Sequence, residues 1–139
     1  MNISEVARRF GVSADTLRYY ERVGAIPPVH RSKSGIRSFT DEDLGWVSMA
    51  VCLRNAGLPV ESLAEYVRLF RAGDHTMQAR LDLLVEARHA IRAERERYDA
   101  ALRQLDYKIL RYEEAVRTGV LDWGRPQDDD ARPDAQGAV

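Results

Sequence analysis

Basic and aromatic side chains crowd the stretch Thr16-Leu17-Arg18-Tyr19-Tyr20-Glu21-Arg22, and positive charge returns at Arg31, Lys33 and Arg37. Guanidinium, ammonium and hydroxyl donors at that density suit the phosphate oxygens of a nucleic acid. Thr16, Arg18, Tyr19 and Arg22 are the candidate contacts in the first stretch, and Arg31, Lys33 and Arg37 in the second. Tyr20 has two readings, since a tyrosine can pack its ring in a core and still offer its hydroxyl to a phosphate. The other reactive group is Cys52, the single cysteine of the chain. A thiolate attacks electrophilic carbon or is oxidised. Cysteine also behaves as a small hydrophobe, so an inert, buried thiol is the competing reading. One cysteine forms no internal disulfide, and neither Cys52 nor His30, His75 and His89 has the paired spacing of a metal site. An iron–sulfur centre needs several thiolates. No paired carboxylates, nucleophile–base set or phosphate-cradling glycine loop points to an enzyme, and no metal or cofactor is expected.

The formal net charge of −1 conceals a strong polarity. Through Thr40 the basic residues Arg8, Arg9, Arg18, Arg22, Arg31, Lys33 and Arg37 face only Glu5, Asp15 and Glu21. From Thr118 onward, Asp122, Asp128, Asp129, Asp130 and Asp134 outweigh Arg125 and Arg132. Phosphate binding needs a local basic face rather than a basic whole, so the N-terminal end is the one expected to meet nucleic acid.

The elements that must position these groups are legible from caps and breakers. Val6, Ala7 and Phe10 mark one face of a short helix that ends at Gly11, a residue able to take positive φ. Ser13 caps a second helix, with Asp15 in its first turn, Leu17 and Tyr20 inward, and Gly24 as its stop. Two short helices across a glycine turn make a helix-turn-helix. Pro27-Pro28 forbids helix, and Val29-His30-Arg31 and Ile36-Arg37-Ser38-Phe39 flank Ser32-Lys33-Ser34-Gly35 as a small hairpin, a wing with a basic tip. Thr40 with Asp41, Glu42 and Asp43 starts a helix toward Asn55-Ala56-Gly57 whose apolar residues cover most of its circumference, as in a helix held between neighbours. After Leu58-Pro59 another helix turns Leu63, Tyr66, Val67 and Phe70 inward.

From about His75 to Arg117 the chain has neither proline nor glycine. Met77, Leu84, Ile91, Tyr98, Leu105 and Tyr112 recur at heptad spacing, interleaved with Leu81, Leu102, Ile109 and Val116, while Arg88 and Arg95 interrupt the stripe. That is a coiled-coil pattern, and its length points to a homodimer joined through Leu81, Leu84, Ile91, Tyr98, Leu102, Leu105, Ile109, Tyr112 and Val116. The expected organisation is mainly α: residues 1–72 as a winged helix-turn-helix with a second helical pair, 75–117 as the dimerisation helix, and 118–139 as a disordered tail rich in Asp, Pro, Gly and Ala. No run is long enough to span a bilayer and no secretory signal opens the chain, so a soluble cytoplasmic protein is expected.

The runs Thr16-Leu17-Arg18-Tyr19-Tyr20-Glu21, Gly24-Ala25-Ile26-Pro27-Pro28 and Gly35-Ile36-Arg37-Ser38-Phe39 closely resemble the MerR family of bacterial regulators, over about Met1 to Arg117. The resemblance implies an antiparallel coiled-coil dimer that binds a promoter with a long spacer and activates by distorting the DNA so that RNA polymerase engages both elements. It places Arg18 and Tyr19 on phosphates and the groove, Thr16 and Arg22 where base or backbone contact is plausible, and Arg31, Lys33 and Arg37 on the wing. Metal-sensing relatives carry cysteines near the end of the long helix, where this chain has none, and multidrug-binding relatives append a ligand domain longer than the stretch after Thr118. Ile26-Pro27-Pro28-Val29-His30-Arg31, Val51-Cys52-Leu53-Arg54-Asn55-Ala56-Gly57-Leu58 and Leu105-Asp106-Tyr107-Lys108 are similar to the single-cysteine branch that responds to reactive aldehydes and thiol stress, which implies a sensor role for Cys52. The helix dipole near that end of its helix disfavours negative charge, so activation calls for a cation such as Arg54 or an arginine of a partner subunit. Two alternatives stand beside this: a regulator gated by a noncovalent ligand among Trp46, Tyr66 and Phe70, and a coiled-coil adaptor that binds protein instead of DNA.

Overall fold

The computed structural model describes residues 1–123. Five helices follow one another: α1 (Ile3–Phe10), α2 (Ala14–Val23), α3 (Asp41–Asn55), α4 (Val60–Ala72) and α5 (Met77–Thr118), with a 3-10 turn, Asp74–Thr76, before the last. The described residues divide into two units, Met1–Ile91 and a second that begins at Arg92. Among the described residues no helix is long and apolar enough to cross a membrane.

In the first unit each short helix is started by a side chain that satisfies backbone N–H groups the helix itself leaves unpaired. Asn2 and Glu5 form a reciprocal capping box on α1, and Ser13 Oγ accepts from the Thr16 N–H at 3.0 Å on α2. Between them Gly11 takes φ 67°, a left-handed conformation that turns the chain tightly enough for the Val12 N–H to reach the Ala7 carbonyl at 3.0 Å. The core then joins Val6 and Ala7 of α1, Leu17 and Tyr20 of α2, Ile26 and Phe39 from the connecting segment, Val47 and Ala50 of α3, Leu63 of α4 and Ala87 of α5. Leu17, Ile26, Leu63, Val6 and Val47 are almost wholly enclosed. Burial of each such side chain contributes roughly 1.5–3 kcal/mol, against about 0.5–2 kcal/mol for a single cap.

The wing is slighter than a two-stranded hairpin. Arg31 and Arg37 make an isolated antiparallel bridge, supported by Ser38 N–H to His30 carbonyl at 2.7 Å and Ser32 N–H to Ile36 carbonyl at 2.8 Å. Beyond that bridge the Val29 N–H goes to Glu21 and the Phe39 N–H to the Met1 carbonyl, so no further ladder pairs form. Three other expectations need adjustment. The long helix starts at Met77, because Asp74–Thr76 is a 3-10 turn tied by Thr76 Oγ1 to the Leu69 carbonyl at 2.6 Å. Phe70 is exposed, set at the last turn of α4 beside Trp46, whereas Leu63 and Val67 are buried. In α3 the Cys52 face is exposed within the single chain, so its neighbours do not enclose the whole circumference.

In the second unit residues 119–123 lie back along α5. After α5 the Gly119 N–H returns to the Ala115 carbonyl at 2.8 Å, and the reversed chain lays Trp123 on Tyr107, with ring centroids 6.0 Å apart and planes 25° apart. Tyr112 meets the same indole edge-on at 5.9 Å, and Lys108 Nζ lies 5.2 Å from its centre. Two aromatic contacts and a cation hold this segment, which composition dominated by the residues beyond it does not reveal. The rest of the expected tail, 124–139, lies outside the described residues.

Asp43 joins α3 to the base of the wing. Its carboxylate accepts from the Thr40 N–H at 2.9 Å, the His30 N–H at 3.3 Å and His30 Nδ1 at 2.9 Å. Burial alone would raise this carboxyl, but the hydrogen bonds from the Thr40 backbone, the His30 ring and the His30 backbone outweigh it and hold the group below its ordinary value of 3.8. A lowered carboxyl stabilises the fold fully above that ordinary value, and the contribution disappears as pH falls through the lowered one. Asp43→Ala is expected to cost about 1–3 kcal/mol in urea unfolding at neutral pH. The gap between wild type and variant should close as the pH is taken below 3.8.

Candidate nucleic-acid interface

Helix α2 turns Leu17 and Tyr20 into the core and leaves Arg18, Tyr19 and Arg22 exposed on its outer side. The helical period of 3.6 residues sets this division once Leu17 is buried. Arg18 Nη1 lies 2.8 Å from Asp15 Oδ1, with both side chains open to solvent. An exposed pair of this kind contributes at most about 1 kcal/mol, so a phosphate can take the guanidinium from Asp15 at small cost. The Arg22 guanidinium lies over the Tyr19 ring, 5.4 Å from its centre, which orders both side chains in advance of any ligand. Thr16 Oγ1 is 2.8 Å from Ser13 Oγ, so its hydroxyl belongs to the helix cap and stands at the N-terminal edge of the face. Tyr20 is 7% exposed, and packing is the role its ring plays here.

The wing residues are built in more deeply than their charge suggests. Arg37 Nε donates to Glu21 Oε1 at 2.8 Å, Arg31 Nη2 lies 3.7 Å from the same oxygen, and the Val29 N–H donates to Glu21 Oε2 at 2.6 Å. Arg31 also reaches across the tip to the Gly35 carbonyl at 2.9 Å. Arg37 therefore serves chiefly as the wing's anchor to α2, Arg31 is shared between anchor and tip, and Lys33 is exposed in the turn itself. The residue that sequence reasoning passed over is Glu21, whose role as anchor depends on contacts eight to sixteen positions away. The available signal was an acid left standing in an otherwise basic stretch, which asks for a partner.

Cys52 is exposed one turn from the end of α3. Arg54, the nearby cation, instead donates from Nη1 to the Leu58 carbonyl at 2.6 Å and closes the turn between α3 and α4. Trp46, Tyr66 and Phe70 pack on one another, Trp46 meeting Phe70 at 5.0 Å and Tyr66 at 6.0 Å, so they fill space rather than line it. Tyr66 does border a cavity of about 10 Å³ with Met49, Leu53 and Leu83, room for no more than a water. The proposed dimerisation residues Leu81, Leu84, Tyr98, Leu102, Leu105, Ile109, Tyr112 and Val116 are exposed on α5, and Ile91 is half-buried.

A capped helix-turn-helix with a wing latched to its second helix, followed by a second helical pair and a long helix, defines the architecture of a transcription regulator. The model of the MerR helix-turn-helix family of regulatory proteins matches residues 1–69. The regulator AdhR of Bacillus subtilis is 53% identical over 91 residues, 66% of this chain and 65% of that protein, so the match spans just under two thirds of its length. A protein of Listeria monocytogenes, assigned to the MerR transcriptional regulators, has a crystal structure that matches with a TM-score of 0.80 and 44% identity over 86% of this chain and 90% of that one. HiNmlR, a MerR family regulator lacking the sensor domain and crystallised on promoter DNA, matches with a TM-score of 0.77 and 32% identity over 86% of this chain and 95% of that one. The chain belongs to the MerR family of transcription regulators, and its relatives are named as regulators rather than enzymes.

Glu21→Ala is expected to lower stability by about 1–3 kcal/mol and to speed amide exchange at Val29, Ser32 and Ser38, because it strands two guanidinium groups and a backbone donor. Glu21→Gln keeps an acceptor for Val29 but not the charge, so exchange at Val29 should recover more than exchange at Ser32. Equal protection of all three amides in wild type and both variants, by NMR, would remove Glu21 as the wing's anchor.

Proposed function

We propose that this chain is a promoter-binding regulator that acts as a homodimer in the cytoplasm and activates transcription by distorting the spacer so that RNA polymerase engages both promoter elements. The observation that carries the DNA-binding part is the outer side of α2, where Arg18 and the stacked Tyr19–Arg22 pair stand exposed beside a wing latched through Glu21. Arg18 and Tyr19 meet phosphates and the groove, Arg22 stands beside them for base or backbone contact, and Lys33 with the outer part of Arg31 grips phosphates on the flank. Thr16 meets the backbone at the helix N-terminus, where the positive end of the dipole favours phosphate. Tyr20 and Arg37 hold these groups in position. The exposed apolar residues along α5 join two copies, so that two recognition helices read one palindromic site.

The signal is read at Cys52. Its thiolate adds to the carbonyl carbon of a reactive aldehyde, forming an S–C bond while the carbonyl π pair moves to oxygen and takes up a proton. The product is a hemithioacetal that reverts when the aldehyde is removed. Exposure of the thiol and the resemblance to the single-cysteine branch support this reading. The adduct then alters packing around α3 and thereby the angle between the two DNA-binding halves.

Two outcomes follow. Arg18→Ala should weaken promoter binding about tenfold and reduce the slope of log affinity against log salt by about one, measured by fluorescence anisotropy. An unchanged affinity and slope would count against this docking. Formaldehyde or methylglyoxal, kept in the solution, should shield Cys52 from alkylation by iodoacetamide, read by mass spectrometry, and raise promoter transcription in vitro. Full induction of Cys52→Ser would remove the thiol mechanism and leave the DNA-binding reading standing.

A further inference from the structure

Arg88 and Arg95 interrupt the apolar stripe of α5, and both are exposed, as are Arg92, Tyr98 and Asp99. Their places in the heptad say how two copies can align, an inference that rests on the homodimer reading. In a parallel pair each seam position faces its own copy, so Arg88 would meet Arg88 and Arg95 would meet Arg95 inside the seam. Like charges pressed together there oppose association. In an antiparallel pair the two interleaved series face each other, and every seam arginine meets a residue of the other series.

Antiparallel alignments still differ by whole heptads. In one of them Arg95 lies on Tyr98 of the partner subunit, and Ile91 meets the partner's Leu102. The flanking Arg92 then stands beside the partner's Asp99, and twofold symmetry makes that pair twice. Slipping one heptad one way brings Asp99 against its own copy at the axis, and slipping the other way brings Arg92 against its own copy. We propose that, within the antiparallel pair the family resemblance implies, Arg92, Arg95, Tyr98 and Asp99 fix the register, with Arg95 on the partner's Tyr98 and Arg92 on the partner's Asp99. A cation over a tyrosine face keeps Arg95 favourable at the seam.

Charge exchange between two full-length variants tests the register. The Arg92→Asp chain sets two carboxylates against two on its own copy, and the Asp99→Arg chain does the same with guanidinium groups. Each alone should dimerise about tenfold more weakly than wild type at low salt, read by sedimentation equilibrium. Mixed together, with one labelled fluorescently, they should pair with each other close to wild-type strength, and the contrast should shrink in about 1 M salt. Circular dichroism of each variant reports whether α5 is intact, and both positions are exposed, so folding should be preserved. A wild type that stays monomeric at all concentrations overturns the homodimer reading itself. A dimeric wild type with unaffected variants, or a mixture that fails to recover, overturns the register and leaves the dimer intact.

Discussion

The Glu21 carboxylate is the contact through which α2 holds the wing. Its side chain is only 12% exposed, and it accepts from the Val29 N–H and from Arg37 while lying near Arg31. A carboxylate so enclosed is costly unless its lone pairs are met, and here basic groups and a backbone donor meet them. The same contacts that satisfy the acid also set the distance from α2 to the wing. Positive charge on the wing thus has two uses: Arg37 faces inward and builds the platform, while Lys33 faces outward from it.

A second carboxylate works on the opposite end of the connecting segment. Asp43 gathers the Thr40 and His30 amides and the His30 ring at the start of α3, so the segment between α2 and α3 is tied at both ends although it has almost no ladder of its own. Cys52 lies on the same helix as Asp43, about 14 Å away at 1.5 Å per residue. A rigid helix with a wing anchor at one end and an exposed thiol near the other offers a short physical route for the signal proposed here, because displacement of α3 moves the acceptor that holds His30.

Much of the first unit was legible because its determinants are local. Ser13, Thr40, Gly11 and Gly24 act within a turn of their own positions, and the helix boundaries they predict agree with α2 and α3 as observed. Periodicity assigned Leu17, Leu63 and Val67 to the interior for the same reason. Periodicity misleads where the deciding contact is distant: Phe70 has the right period but stands outside beside Trp46.

By itself the sequence determined the helical order, the exposed arginine and tyrosine side of α2, the family, and the heptad pattern of α5, since each follows from residue types at short, regular separations. Only the tertiary structure decided which charges are available. Arg37 and Lys33 look alike in the chain, but Arg37 is bound to Glu21 and Lys33 is exposed. Arg54 is committed to the Leu58 carbonyl, while the Cys52 thiol stands exposed on the single chain. A cation's availability depends on which acceptor the fold carries to it, and those acceptors come from segments that residue spacing does not connect.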